Sequence, residues 1–446
     1  MLFYYRYLCL MLSVVLLMLE FFVQRHIASP AQRAHHVDQS IQTDLRFTGD
    51  STTPPSEVRH IGFVKVHKAA SSTAQNIFFR FGLNRNLTFV FTQHNNYFSR
   101  ESGHHYPLTK PKNRTGYDIH CIHGTFNHTL YSSLLPEDTV YLAIVRDPLQ
   151  VFLSAVNYYT QATLHLPYLM KITGNKVQRL IRQPEAYDQE FYSYSKNVMG
   201  RDLGFPETLN QTTIDTYLEG LDKELKLVLI VEHFDESLIL MKRYLNWSLR
   251  DILYISNNVL PKAMWSLANL TTSDIDLFQK RNKLDITVYD FFYKKFWKQL
   301  SNEGDGIVSE LLNFRLVLNK VFTFCKGDNS QRKDTGETTN LLIIAESIWN
   351  PEFALTEEDC TQMRMAELEF IKLLRKEQGS EVPERPTLRS NRKGHGVEAG
   401  PKHKLDIKKH ESESDQKFPS KKNGRKVDDK KKLVEDGKKG RLNNAT

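Results

Sequence analysis

From Ile61 to Val66 the apolar positions are too dense, and too many are β-branched, for a helix, and the run stops at His67; it predicts a buried strand. Beyond a loop of His67, Lys68, Ala69, Ala70, Ser71, Ser72 and Thr73 the spacing changes. Ala74, Ile77, Phe78 and Phe81 fall at i, i+3, i+4 and i+7, the inward stripe of a helix, while Gln75, Asn76 and Arg80 point elsewhere. The same alternation recurs from Thr139 to Tyr159: Val140, Leu142, Ile144 and Val145 predict a strand, and Leu149, Phe152, Leu153 and Val156 a helical stripe. Asp147 and Pro148 between them suit an N-cap and a first helical position. Lys226 to Glu232 predicts a further buried strand, followed by a helix whose inner face is Leu238, Met241, Tyr244 and Leu245. Helical patterns then run from Asp274 to Leu300 and from Ile307 to Phe324. Strands alternating with helices predict an α/β fold, a mainly parallel central sheet flanked by helices.

The two strand-to-helix junctions carry the candidate chemistry. Backbone N–H groups at a helix N-terminus lack intrahelical partners and attract anions, so a loop of small side chains there can cradle phosphate or sulfate. Lys68 adds a point charge, and Ser71, Ser72 and Thr73 add hydroxyl donors. The loop has no glycine and sets its lysine before the small residues, unlike the nucleotide loop G-x-x-x-x-G-K-[ST], which disfavours an ordinary P-loop ATPase. On this segment alone, hydroxyls that merely cap the helix are an equal reading. At the second junction Arg146 ends the strand, where ligands bind in open α/β sheets, and Ser154 lies two turns on, off the apolar stripe.

Taken together, the junctions resemble the Golgi carbohydrate sulfotransferases, and the resemblance narrows to the galactose 3-O-sulfotransferases, which include galactosylceramide sulfotransferase. It is carried by HKAASSTAQNIFFRFG, HGTFNHTLYSSLLPEDTVYLAIVRDP, LVLIVEHFDESLILMKRYLNWSLRDILY and VYDFFYKKFWKQL, from about Ile61 to Leu300. The resemblance implies a P-loop-like sulfotransferase fold and the co-substrate 3'-phosphoadenosine-5'-phosphosulfate. Lys68, Ala70, Ser71, Ser72 and Thr73 would grip its 5'-phosphosulfate, and Arg146 and Ser154 its 3'-phosphate. The implied reaction moves the sulfuryl group to the 3-hydroxyl of a terminal β-galactose, on galactosylceramide or related glycolipids first and on galactose-ended glycoprotein glycans second. By analogy with phosphoryl transfer, positioning and charge neutralisation supply most of the catalysis, with Lys68 at the leaving oxygen. A histidine suits the base that takes the acceptor proton. His123 is the first choice because related enzymes place a catalytic His in a comparable stretch, and His67 is the competitor. No Cys/His metal spacing is present, so no metal is expected. Rival readings are a nucleotide-dependent kinase, which the missing glycines disfavour, and a noncatalytic membrane-anchored galactose-binding protein. Aromatics such as Tyr158, Tyr159, Trp265, Phe292, Phe296 and Trp297 are given no role, since such spacing more often marks core.

The outer segments set the compartment. Residues 1–6 read as a short cytoplasmic end. Tyr7 to Val23, apolar except for Ser13 and Glu20, reads as a transmembrane signal anchor without an obvious cleavage site. Residues 24–57 read as a stem, 58–376 as a lumenal sulfotransferase domain and 377–446 as a disordered basic tail. Asn86, Asn113, Asn127, Asn210, Asn246, Asn269 and Asn444 each begin N-x-[ST], as suits a secretory-pathway protein. A Golgi single-pass type II membrane protein is expected, with a homodimer left open. Of the four Cys, Cys325 with Cys360 is the preferred pair, since Cys121 lies beside the candidate base. The formal charge of +8 could suggest nucleic acid, but from Asn391 onward 17 Lys and Arg stand against 9 Asp and Glu, which accounts for all of it. A solvated tail without a recognised motif argues against nucleic-acid binding.

Overall fold

The computed structural model describes residues 56–93, 96–99, 106–159, 171–188, 193–206, 210–256, 270–327 and 341–380. The expected anchor 7–23, the expected stem up to residue 55, Trp265, Asn269, Asn444 and the expected tail from 381 lie outside the described residues. The chain divides into a unit ending at Glu384 and a second, Arg385–Thr446, outside the described residues. Among the described residues no helix is long and apolar enough to cross a membrane.

Strand β1 (Ile61–Val64) is followed by helix α1 (Ser71–Asn84), then β2 (Ile119–His120), α2 (His128–Ser132), β3 (Val140–Val145) and α3 (Pro148–Tyr159). Next come α4 (Lys176–Arg182), α5 (Pro184–Tyr187), α6 (Val198–Asp202), α7 (Gln211–Glu224), β4 (Leu225–Ile230) and α8 (Phe234–Leu245). The main sheet runs β2-β1-β3-β4 with every pairing parallel, in the register Ile61↔Val140 to Val64↔Ala143 between β1 and β3, and Val145↔Ile230 at the end of the β3 and β4 pair. Both faces are covered, so these strands read as continuous apolar runs rather than alternating ones.

The predicted stripe of α1 is fully buried, but so are Gln75, Asn76 and Arg80. The far side of α1 is covered by α12 (Glu357–Arg364) and α13 (Glu367–Glu377), elements the hydrophobic pattern did not announce. The amides of Gln75 and Asn76 donate to the carbonyls of Cys121 at 2.7 Å and Gln362 at 2.8 Å, which is how polar groups tolerate that burial.

The helix expected from Asp274 to Leu300 is two, α9 (Thr272–Arg281) and α10 (Lys283–Ser301). They break at Asn282, whose side chain accepts the N–H of Asn197 at 2.9 Å instead of continuing one rod. Helix α11 (Gly306–Lys326) leads to an antiparallel hairpin of β5 (Leu341–Ile344) and β6 (Phe353–Thr356). A disulfide joins Cys325 to Cys360, the preferred pairing, tying α11 to α12 and leaving Cys121 a buried thiol whose pKa burial raises. The chain remains engaged as far as Ser380, because Gln378 accepts the Phe89 N–H at 2.9 Å.

Candidate active site

The chain leaves β1 for β2 on one side and returns to β3 on the other, so the carboxyl ends of β1 and β3 flank a topological switch point. Lys68 and Arg146 emerge there, and the Arg146 guanidinium donates from Nη1 to the Lys68 carbonyl at 3.1 Å. This contact brings the two predicted junctions together. The loop turns without glycine because Lys68 and Ala70 adopt left-handed backbone, at φ 60° and 51°. For residues with a Cβ this conformation costs about 1 kcal/mol each, a strain associated with functional sites.

Ala70 is the N-cap of α1 and supplies no side-chain cap. The alternative in which the hydroxyls merely cap the helix therefore does not describe this loop. The hydroxyl of Ser71 donates back to the Val66 carbonyl at 2.7 Å, so Ser71 can serve an anion through its backbone N–H rather than its hydroxyl proton. Ala70 and Ser72 are exposed and Thr73 half-buried; Ser154 is half-buried on α3 beyond Arg146. Asp147 accepts the Gln150 N–H at 2.9 Å, the first-turn bond expected of a cap. The Lys68 ammonium lies 3.6 Å from the centre of the Tyr158 ring, which gives that aromatic a place in the site. Burial first, then the Arg146 and Lys65 charges, push Lys68 down to about 8. Burial also lowers Arg146. Partly desolvated cations converging on an uncapped helix start favour a bound anion.

The two candidate bases lie side by side, their rings stacked at 4.2 Å, but they have different partners. Asp202 Oδ2 accepts from His67 twice, from the backbone N–H at 2.6 Å and from Nδ1 at 2.7 Å. Burial alone would raise the Asp202 carboxyl, yet His67 and Arg201 outweigh it and hold it below the usual range. With its proton on Nδ1, His67 offers the Nε2 lone pair, which faces the Tyr97 hydroxyl at 3.1 Å. His123 Nε2, by contrast, accepts from Lys65 Nζ at 3.0 Å, and burial with the Lys65 and His67 charges keeps its pKa well below the ordinary value. Lys65 is wholly buried and also donates to Glu367 Oε2 at 2.6 Å, while Glu367 Oε1 accepts from Asn96 at 2.9 Å.

Asp202 closes α6, whose start is held from α10. The N–H groups of Met199 and Gly200 donate to Asp285 at 3.1 and 2.8 Å. Burial pushes the Asp285 carboxyl up to about 7, against the opposing pull of those donors. A Cβ on Gly200 would stand 2.3 Å from a Leu284 methyl, so any larger residue would require the Leu284 side chain to shift. Phe292 and Phe296 of α10 are core, as their spacing suggests.

Lys65, Tyr97, Asp202, Asp285 and Glu367 escape a reading of the sequence. Only Lys65 carried a local signal, a charge inside an apolar strand run; the others are assembled from distant segments. Among the described residues no group of His, Cys, Asp and Glu is placed to hold a metal.

A family model described as galactose-3-O-sulfotransferase matches residues 4–342. Galactose-3-O-sulfotransferase 3 of Bos taurus is 31% identical over 293 residues, covering 63% of this chain and 66% of the relative. Its counterpart from Mus musculus is 28% identical over 354 residues, covering 73% and 79%. Galactosylceramide sulfotransferase of Homo sapiens is 29% identical over 281 residues, covering 60% and 64%. The chain thus spans just under two thirds of the length of two of these relatives. Glu367 lies beyond the matched residues.

Proposed function

The chain belongs to the galactose-3-O-sulfotransferase family, and on that premise we propose that it moves a sulfuryl group to the 3-hydroxyl of a terminal β-galactose. Galactosylceramide and related glycolipids are the preferred acceptors, and galactose-ended glycoprotein glycans come second. The observation that most supports this reading is the bond from Arg146 to the Lys68 carbonyl, which joins the two cation-bearing junctions beside an uncapped helix start.

These groups suit a polyanionic co-substrate of the class of 3'-phosphoadenosine-5'-phosphosulfate, which would supply an activated sulfuryl group when bound. Lys68 and the α1 N–H groups would hold the phosphosulfate end, and Arg146 and Ser154 the 3'-phosphate. Lys68 neutralises charge that develops on the leaving oxygen. His67 takes the acceptor hydroxyl proton at Nε2, and Asp202, already bonded to Nδ1, stabilises the imidazolium that forms. His123 is the weaker base, since Lys65 occupies its Nε2; its role is to wall the site and fix the His67 ring by stacking.

The same reading puts the protein in the Golgi membrane, anchored by residues 7–23 with the catalytic domain in the lumen. The sequon residues Asn86, Asn113, Asn127, Asn210 and Asn246 are exposed, which supports it. The test follows radiolabelled sulfate from the donor to galactosylceramide and to lactose, using the full-length protein in detergent. Lys68→Ala and His67→Ala should each lower turnover about a hundredfold or more, with His123→Ala less damaging. Transfer to neither galactoside would sink the acceptor, and near-normal turnover by His67→Ala would sink the base.

A further inference from the structure

The Tyr97 hydroxyl stands where the acceptor must arrive. It lies 3.1 Å from His67 Nε2, and the Nδ1 proton of the same ring is committed to Asp202. A neutral imidazole has one lone pair, on the nitrogen without the proton, and that lone pair accepts one hydrogen bond. The Tyr97 O–H and an acceptor O–H therefore cannot both donate to His67. One excludes the other.

The backbone does not give way easily at this point. The residues on either side of Tyr97 are clamped to His123, for the Phe98 N–H donates to the His123 carbonyl at 2.6 Å and the His123 N–H donates to the Asn96 carbonyl at 3.0 Å. Asn96 is held again by Glu367. The Tyr97 side chain is only half-buried, and its ring lies 5.0 Å from that of His123. The hydroxyl must leave by rotation of the side chain rather than by movement of the backbone.

We propose that Tyr97 is a placeholder for the acceptor hydroxyl, occupying His67 Nε2 in the resting enzyme and yielding it to the 3-hydroxyl of galactose. The placeholder keeps the base in the productive tautomer and costs acceptor affinity in return. This proposal rests on the reading of His67 as the base.

The test uses the full-length protein in detergent, saturated with adenosine 3',5'-bisphosphate, and measures lactose binding by calorimetry alongside the acceptor KM in turnover. Tyr97→Phe keeps the ring and removes the competing donor. Lactose should bind about fivefold tighter to it, the equivalent of one ordinary hydrogen bond, with KM falling by a similar factor and kcat not falling with it. In a His67→Ala background the same change should leave lactose binding unaltered, because no lone pair remains to be contested.

Unchanged or weaker binding by Tyr97→Phe would overturn the proposal, as would a kcat loss at constant KM, which would make the hydroxyl part of the reaction. So would a gain that persists without His67, or a parent chain that does not bind lactose. Failure of the base assignment shows separately, as turnover retained by His67→Ala alone.

Discussion

Lys68 shows how much one residue's surroundings alter its chemistry. Its ammonium is a weaker acid when free in water; burial, followed by the Arg146 and Lys65 charges, brings it down to about 8. A lowered lysine is charged below that value and neutral above it, so its attraction for an anion is lost as pH rises through about 8. Affinity for adenosine 3',5'-bisphosphate should then fall by up to about tenfold per pH unit between 8 and 10. Lys68→Arg, which stays charged throughout, should flatten that decline. Equilibrium binding across the range decides it, and a flat profile in the unsubstituted protein would remove Lys68 from the anion site. The His pair makes the same point without a pH argument. Two imidazoles 4.2 Å apart differ in use because one has a carboxylate at Nδ1 and the other an ammonium at Nε2.

Helix α6 is the element through which α10 reaches the base. Five residues are too few to be stable alone, so α6 depends on its caps and its packing. Asp285 receives two of its first N–H groups, and Asp202 at its other end holds His67. Asp285→Ala should leave those N–H groups buried and unpaired, lower kcat at least tenfold through a misplaced Asp202, and change donor binding little. Asp285→Asn retains an acceptor oxygen and should keep more of the turnover. Parallel measurement of kcat and bisphosphate binding checks this; unchanged turnover in the Ala variant would show that α6 is held by other means. At this scale the apolar stripes of α1, α3 and α8 are legible because each depends on residues within two turns. The break at Asn282 is not, because the group that makes it useful, the Asn197 N–H, lies 85 residues away.

Across the molecule, helix α13, the last among the described residues, completes the site from outside the family match. Glu367 at its start meets Lys65, which has a fully buried side chain. Removing one partner of a buried pair strands the other charge, so Glu367→Ala should lower unfolding stability by roughly 3–5 kcal/mol. Replacing both, as Lys65→Met with Glu367→Leu, should recover most of that loss. Denaturant titration of the single and double variants tests the pair, and a loss below about 1 kcal/mol for the single change would mean that water reaches Lys65. The disulfide between Cys325 and Cys360 supports the same docking, fastening α12 just before α13 to the end of α11.

The sequence by itself determined the parallel strand-to-helix units, the positions of Lys68 and Arg146 at two such junctions, and the family they resemble. These rest on periodicity, capping and small side chains, properties of neighbours along the chain. The tertiary structure alone decided which histidine has a carboxylate behind it and what stands before it. Asp202 is 135 residues from His67, and Glu367 is 302 from Lys65. Electrostatic and hydrogen-bonding partners act through space, and a buried polar group takes its partner from whichever segment the fold brings within about 3 Å.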